Sequence, residues 1–325
     1  MSILGVARRT AIRVAYVKRI GLRWARALAD AGVWPPAGVS LDSGGGLKIP
    51  GLRLTIPQPD RIGLEVYRSL QQIGDLEQRA NATVDVQHDS VRIAVGGIVA
   101  AAYNSADIGV FHEVFVERLY AFEEPGPLLI LDIGMNIGLA TLFFLRNYNA
   151  EVRAFELVPS TAKIGLDNLA LNPDLQARAT VREYGLSDRD TELDLSVDPA
   201  ERPENSLLKP AAHPGPATER VQVRDAAKEL RSAVESLGAR RLVVKLDAEG
   251  AEYEIMRRLA DTDLLARIDL LMIEWHRRPD ADPEELRKLL RAAGFNWSER
   301  EHYCSRVGFI YAYRRLANPG ATGAT

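Results

Sequence analysis

With 325 residues, 46% of them hydrophobic, the chain can bury a full core and leave room for a small additional domain, which excludes a disordered protein. A formal net charge of −3 argues against a surface built as a whole for nucleic acid, so no nucleic-acid partner is expected. The single cysteine, Cys304, permits no intrachain disulfide, and with no secretory leader or long charge-free apolar run the sequence predicts a cytoplasmic protein.

Residues 1–30 set Arg8, Arg9, Arg13, Lys18, Arg19, Arg23 and Arg26 against Asp30 alone. Ile12, Tyr16, Ile20, Trp24 and Leu28 recur every four residues, so the spacing predicts a basic amphipathic helix. Its stripe suits docking on the protein itself or on a sister subunit in a homodimer; peripheral contact with an anionic membrane is the alternative. Residues 31–60, with "GVWPPAGVSLDSGGG", are rich in Pro and Gly and read as a connector.

Residues 61–120 read as a mixed cap region. They hold a helix in "GLEVYRSLQQIGDLEQRA", a strand in "VRIAVGG", and a helix through "IGVFHEVFVERLY" that Asp107 would cap. His112 lies beside the apolar face of Phe111 and Phe115 and, with no second ligand at metal spacing, reads as structural.

From 121 to 317 strand and helix alternate: "LLILDI", "GLATLFFLRNY", "EVRAFEL", "PSTAKIGLDNLALN", "ATVREYGL", "VVKLDAEG", "AEYEIMRRLADTDLL", "IDLLMIEWH", "DPEELRKLLRAAG" and "GFIYAYRR". That order predicts an α/β fold with a doubly wound, mostly parallel sheet covered by helices on both faces. Residues 198–219, with five prolines, interrupt it as a loop insertion, and 318–325 read as a flexible tail.

The first regular strand ends in "DIGMNIG". Gly134 and Gly138 can bring backbone close to a ligand, Asp132 and Asn136 offer side-chain hydrogen bonds, and the N–H groups of the following helix favour a small anionic group. Glu156 ends the second strand, 24 residues beyond Asp132, where an acid can accept two hydroxyls of a ribose. Nicotinamide dinucleotides and S-adenosylmethionine both carry that ribose. Met135 stands where a dinucleotide loop wants its middle glycine, which favours the methyl donor; a turn that binds nothing is the third reading.

Taken in order, "ILDIGMNIGLATLFF", "AFELVPS", "YGLSD", "VVKLDAEGAEYEIM" and "LMIEWH" resemble the S-adenosylmethionine-dependent methyltransferases of the FkbM family, from about Asp107 to the C-terminus. The resemblance implies a class I methyltransferase fold and an O-methyltransferase acting on a hydroxyl of a sugar, glycosylated or natural-product small molecule, with S-adenosyl-L-methionine as donor. It implies that Asp132, Gly134, Met135, Asn136 and Gly138 surround the methionine part, that Phe155 and Glu156 hold the ribose, and that Ser187 and Asp188 approach the adenine, with Asp247 alongside. "FEL" departs from the family's more frequent acid followed by proline. "FVERLY" also resembles a family stretch, so Glu117 is a candidate on the lid side of the donor pocket, although Glu117 and Arg118 read equally as a helix-surface pair.

Methyl transfer needs an aligned hydroxyl and a base for its proton. Asp247 and Glu249 follow a buried strand; Glu274 and His276 share one side of the next strand, opposite Trp275. His276, its ring oriented by a carboxylate, or one of the nearby carboxylates is the candidate base. The same four side chains could instead hold Mg²⁺ or Mn²⁺. Lys245, inside a buried strand, needs an acid beside it. A nicotinamide-dependent oxidoreductase and a noncatalytic interaction protein on the same fold are the rival functions.

Overall fold

A computed structural model describes residues 3–33, 38–197, 217–301 and 306–314, so most of the predicted 198–219 insertion and the whole 318–325 tail lie outside the described residues. The chain divides into two compact units, Met1–Leu119 and Tyr120–Thr325. Among the described residues no helix is long and apolar enough to cross a membrane.

The first unit begins with α1 (Ile3–Asp30), bent at Gly21, where φ is +72°. Ile20, Trp24 and Leu28 are buried, and the Trp24 indole donates to the Gly45 carbonyl at 3.1 Å, so this half of the apolar stripe docks within its own unit. The side chains of Ile12 and Tyr16 lie outside the described residues.

The stretch expected as a connector instead forms an antiparallel meander of β1 (Ser40–Leu41), β2 (Leu47–Lys48) and β3 (Thr55–Ile56). Leu47 and Ile56 give it a buried face, and the Asp42 carboxylate accepts the N–H groups of Gly44 and Gly46, both at 2.8 Å, which closes the hairpin.

The predicted helix after it is two, α2 (Arg61–Arg68) and α3 (Leu70–Arg79), broken at Ser69 with φ −102° and ψ 17°. A second meander follows in β4 (Thr83–Val86), β5 (Val91–Val95) and β6 (Ile98–Ala102). The cap of α4 (Ser105–Phe111) is Asn104, not Asp107: the Asn104 side chain accepts the Asp107 N–H at 2.8 Å, while the buried Asp107 carboxylate reaches back to the N–H of Tyr103. Nor does this helix run on to Tyr120. It changes at His112–Val116 into a π-helical turn, with His112 between Asp75 at 3.0 Å and Glu117 at 3.4 Å.

The second unit contains, in chain order, β7 (Leu128–Ile133), α5 (Leu139–Asn147), β8 (Ala150–Phe155), α6 (Pro159–Ala170), α7 (Pro173–Gln176), β9 (Ala179–Arg182), β10 (Gly185–Ser187), β11 (Thr191–Val197), β12 (Ala217–Asp225), α8 (Ala226–Glu235), β13 (Arg241–Leu246), α9 (Glu252–Ala260), β14 (Leu270–His276), α10 (Pro283–Ala292), β15 (Asn296–Glu301) and β16 (Val307–Tyr313). Among the described residues, seven strands form one sheet in the order β15-β16-β14-β13-β7-β8-β9. Neighbours from β14 to β9 are parallel, and β16 runs antiparallel to β14 and β15.

This is the expected doubly wound sheet. Every residue of β7 is buried, as an apolar run covered on both faces requires. The chain moves outward through β7, β8 and β9, then returns to β13 on the other side of β7, so the order reverses at the β7/β13 seam. One predicted strand, "ATVREYGL", is divided: β9 stays in the main sheet, whereas β10 pairs with β12 in a separate three-stranded sheet. The close approach of Gly185 to Leu157 marks the change, since a Cβ there would lie 2.8 Å from the leucine side chain.

Candidate functional site

β7 and β13 end side by side, Ile133 opposite Leu246. The chain then turns at Gly134, with φ +83°, where a Cβ would lie 1.7 Å from the Asp247 carbonyl oxygen. Only glycine fits that seam. The N–H groups of Gly134 and Met135 both donate to the Phe155 carbonyl, at 3.0 and 2.9 Å, folding the loop over the end of β8.

Gly138 serves a different purpose. It precedes α5 with φ +86°, and its absent side chain admits the backbone of Gly165 on α6, which in turn leaves room for the Met135 side chain. Gly134 therefore lines the cleft at this seam, while Gly138 and the buried Met135 pack the loop against α6.

Asn136, in the left-handed region at φ +52°, donates its N–H to Glu156 Oε2 at 2.8 Å, and Val158 donates to Oε1 at 3.0 Å. Burial pushes the Glu156 carboxyl above the usual carboxylate range, against those two N–H groups and the charge of Lys245. Asn136, Phe155 and Glu156 all line the cleft. So does Thr161, which the sequence reading passed over as one polar residue in a helical first turn.

Asp132 does not face this cleft. It is wholly buried, accepts from the Thr141 hydroxyl at 2.6 Å and lies 3.3 Å from Lys245 Nζ. The ammonium of Lys245 also donates to the Gly134 carbonyl at 2.5 Å and lies 3.2 Å from Asp247. Burial disfavours that charge, yet Asp247 and Asp132 outweigh it and raise the lysine pKa. The acid that buried Lys245 needs is thus present twice, and the ion pairs tie β7 to β13.

The loop after β13 is held by Glu252, a residue the sequence reading did not single out. Fully buried, it accepts through Oε1 from the N–H groups of Ala248, at 2.8 Å, and Gly250, at 3.0 Å. The same oxygen lies 3.3 Å from His276 Nδ1, while His276 Nε2 lies 3.4 Å from Glu249 and 3.9 Å from Glu274. Burial alone would favour neutral imidazole, but Glu252, then Glu249 and Asp247, push its pKa up to about 10. The four predicted catalytic side chains do gather here, with Asp247 and Glu249 on the cleft and His276 and Glu274 outside its lining.

Ser187 and Asp188 stand at the end of β10; neither lines the cleft, and Asp188 pairs with Arg189 at 3.5 Å. Glu117 belongs to the first unit. Among the described residues, the lining of the cleft includes Glu156, Asp247 and Glu249 but no lysine or arginine. It suits a ligand with hydroxyls and a positive charge better than one with a pyrophosphate.

A family model described as "Methyltransferase FkbM domain" matches residues 132–296, half of the chain. "Methyltransferase sdnD" of Sordaria araneosa is 32% identical over 178 residues, covering 51% of this chain and 63% of that protein. "Methyltransferase 1" of Beauveria bassiana is 29% identical over 174 residues, covering 47% of this chain and 67% of that protein. The matched region thus spans about two thirds of these curated relatives' length. A solved "SAM Dependent Methyltransferase" from Agrobacterium tumefaciens shares 12% identity at a TM-score of 0.41, covering 71% of this chain and 72% of that one.

Proposed function

The chain belongs to the FkbM methyltransferase family, and from that premise we propose that it transfers the methyl group of S-adenosylmethionine to a hydroxyl of a sugar, glycosylated or natural-product small molecule. The observation that carries this reading is the charge of the cleft: among the described residues, three acidic residues line it and no basic one does. A sulfonium donor brings a cation to those acids, whereas a nicotinamide dinucleotide would bring a pyrophosphate.

In this reading each Glu156 oxygen, already accepting one N–H, uses its remaining lone pairs for the ribose hydroxyls. Gly134 and Asn136 face the methionine part, whose carboxylate suits the N–H groups at the start of α5. Asp132 and Lys245 act one layer behind, fixing the seam that Gly134 closes.

The reaction needs no covalent intermediate. An acceptor oxygen attacks the methyl carbon in line with the C–S bond; the C–O bond forms as the C–S bond breaks, its electron pair stays on sulfur, and S-adenosylhomocysteine leaves as a neutral thioether. The hydroxyl proton passes to Asp247 or Glu249, since these acids line the cleft. His276, the other candidate for this role, lies outside the lining of the cleft with its Nε2 3.4 Å from Glu249.

Calorimetric titration of ligand-stripped protein with S-adenosylhomocysteine tests the reading, with NADH as comparator. Saturable binding, weakened at least ~10-fold in Glu156→Ala by loss of a charged hydrogen-bond partner, is expected. Binding of NADH alone would return the oxidoreductase reading, and binding of neither would favour an interaction protein.

A further inference from the structure

We propose that Asp247, Glu249 and His276 form a site for one divalent cation of the Mn²⁺ or Mg²⁺ kind at the edge of the methyl-transfer cleft. The inference rests on the methyl-transfer reading for its purpose, though not for its detection. Each of the three residues offers one ligand atom, and these atoms lie within 4.8 Å of one another. His276 Nε2 and Glu249 already stand 3.4 Å apart, a separation that two neighbouring donors on one ion can adopt, and the Asp247 donor lies within 4.8 Å of both. One imidazole nitrogen with two carboxylates, open to a cleft, suits a hard or borderline ion that keeps water or substrate in its other positions.

Two further observations point the same way. The first is the carboxylate behind the imidazole. Glu252, wholly buried and fixed by two backbone N–H groups, holds His276 through Nδ1 and leaves Nε2 facing Glu249. Ligating histidines are characteristically oriented through their second nitrogen in this way.

The second is charge. Asp132, Asp247, Glu249, Glu252 and Glu274 gather around Lys245 and His276, and Glu252 Oε2 is buried without a hydrogen-bond partner among the described residues. A divalent ion taking the place of the Nε2 proton would add positive charge beside these acids, where burial makes unbalanced negative charge costly.

With three protein ligands, the ion keeps positions for an acceptor hydroxyl, and a vicinal diol or hydroxyketone would fill two of them. Ligation would make that hydroxyl more acidic, so that its proton could pass to solvent water when Asp247 and Glu249 serve as ligands rather than as proton acceptors.

The experiment is a titration of Mn²⁺ into the chelator-stripped full chain, without donor, followed by loss of the free-ion paramagnetic resonance signal. One Mn²⁺ per chain is expected, displaced by Mg²⁺. Glu249→Gln should weaken binding at least ~10-fold, and Glu252→Gln, which touches no ion directly, by ~10–100-fold. Thermal unfolding monitors each variant; if Glu252→Gln fails to fold, the partly exposed Glu249→Gln decides alone. Absence of bound Mn²⁺, or equal binding by wild type and Glu249→Gln, overturns the site. A parallel S-adenosylhomocysteine titration separates the two readings: donor binding without Mn²⁺ breaks the metal site alone, and Mn²⁺ binding without donor breaks the methyl-transfer reading alone.

Discussion

The two loops that meet at the sheet reversal are built alike and charged differently. Beside the loop after β7, the buried Glu156 at the end of β8 collects the N–H groups of Asn136 from that loop and Val158 from its own; in the loop after β13, the buried Glu252 at the start of α9 collects those of Ala248 and Gly250. Each loop also holds one side-chain-bearing residue in the left-handed region, Asn136 at φ +52° and Glu249 at φ +51°. The contrast lies in what each glutamate faces. Glu156 lines the cleft and is available to hydroxyls, whereas Glu252 lies against His276 and sets one imidazole among several acids. On the two proposals above, one construction would serve two chemistries, ligand recognition on one side of the seam and cation binding on the other.

The seam itself carries the largest expected effects. Gly134→Ala would drive a Cβ to 1.7 Å from a backbone oxygen in a left-handed conformation, so the two loops could no longer meet. A loss beyond ~4 kcal/mol is expected, read as failure of cooperative unfolding of the second unit. Gly138→Ala, whose Cβ would meet the Gly165 backbone at 3.3 Å, should cost only ~1–2 kcal/mol, mostly strain at φ +86°. Equal losses in the two variants would mean that both loops depend on α6 packing rather than on the β7/β13 contact.

Removing the buried lysine comes next. Lys245→Met leaves Asp132 wholly buried beside Asp247 with no cation between them, an expected loss of ~3 kcal/mol at neutral pH. The sign of its pH dependence follows from Asp132, whose carboxyl burial already pushes above its ordinary value and which loses its compensating charge in the variant. A folded-state pKa above the unfolded one gives stability that is present at acid pH and lost as pH rises through the folded value. The deficit should thus be smallest below the ordinary aspartate range and grow toward neutrality. Denaturant titrations of both proteins across that interval measure it, and a pH-independent deficit would place the loss in packing.

Much of this architecture was legible in sequence because it is written in local pattern. The unbroken apolar run of "LLILDI" demands a strand covered on both faces, and the glycine at 134 marks the turn at its end. Buried Lys245 announced its acids, since an unpaired ammonium is too costly to bury. What stayed illegible depends on how distant segments approach. Glu252 reads locally as one more acid in a helical first turn, and its hold on Ala248, Gly250 and His276 exists only once β13 and β14 lie side by side. Gly138 looked like a ligand glycine because its need for space arises from Gly165, 27 residues later. The Asp42 hairpin was hidden by a Pro- and Gly-rich composition that reads equally as a connector.

The smallest predicted effect separates the two loops most cleanly. Asn136→Gly and Glu249→Gly each relieve a left-handed conformation that glycine adopts without a Cβ penalty, so each variant should gain stability, ~0.5 kcal/mol for Asn, which tolerates that region, and ~1 kcal/mol for Glu. Neither substitution removes a backbone N–H, so the bond from Asn136 to Glu156 and those from Ala248 and Gly250 to Glu252 are retained. Any loss of ligand binding in these variants then reports the deleted side chain and not a collapsed loop. Asn136→Gly should weaken S-adenosylhomocysteine and leave Mn²⁺ binding unchanged. Glu249→Gly should do the reverse, losing Mn²⁺ while donor affinity shifts by less than the single charge would contribute in contact, because the ribose and methionine parts are assigned to the other loop. Crossed effects of similar size in both variants would mean that the seam is one binding surface, and that the division between its two sides is not functional.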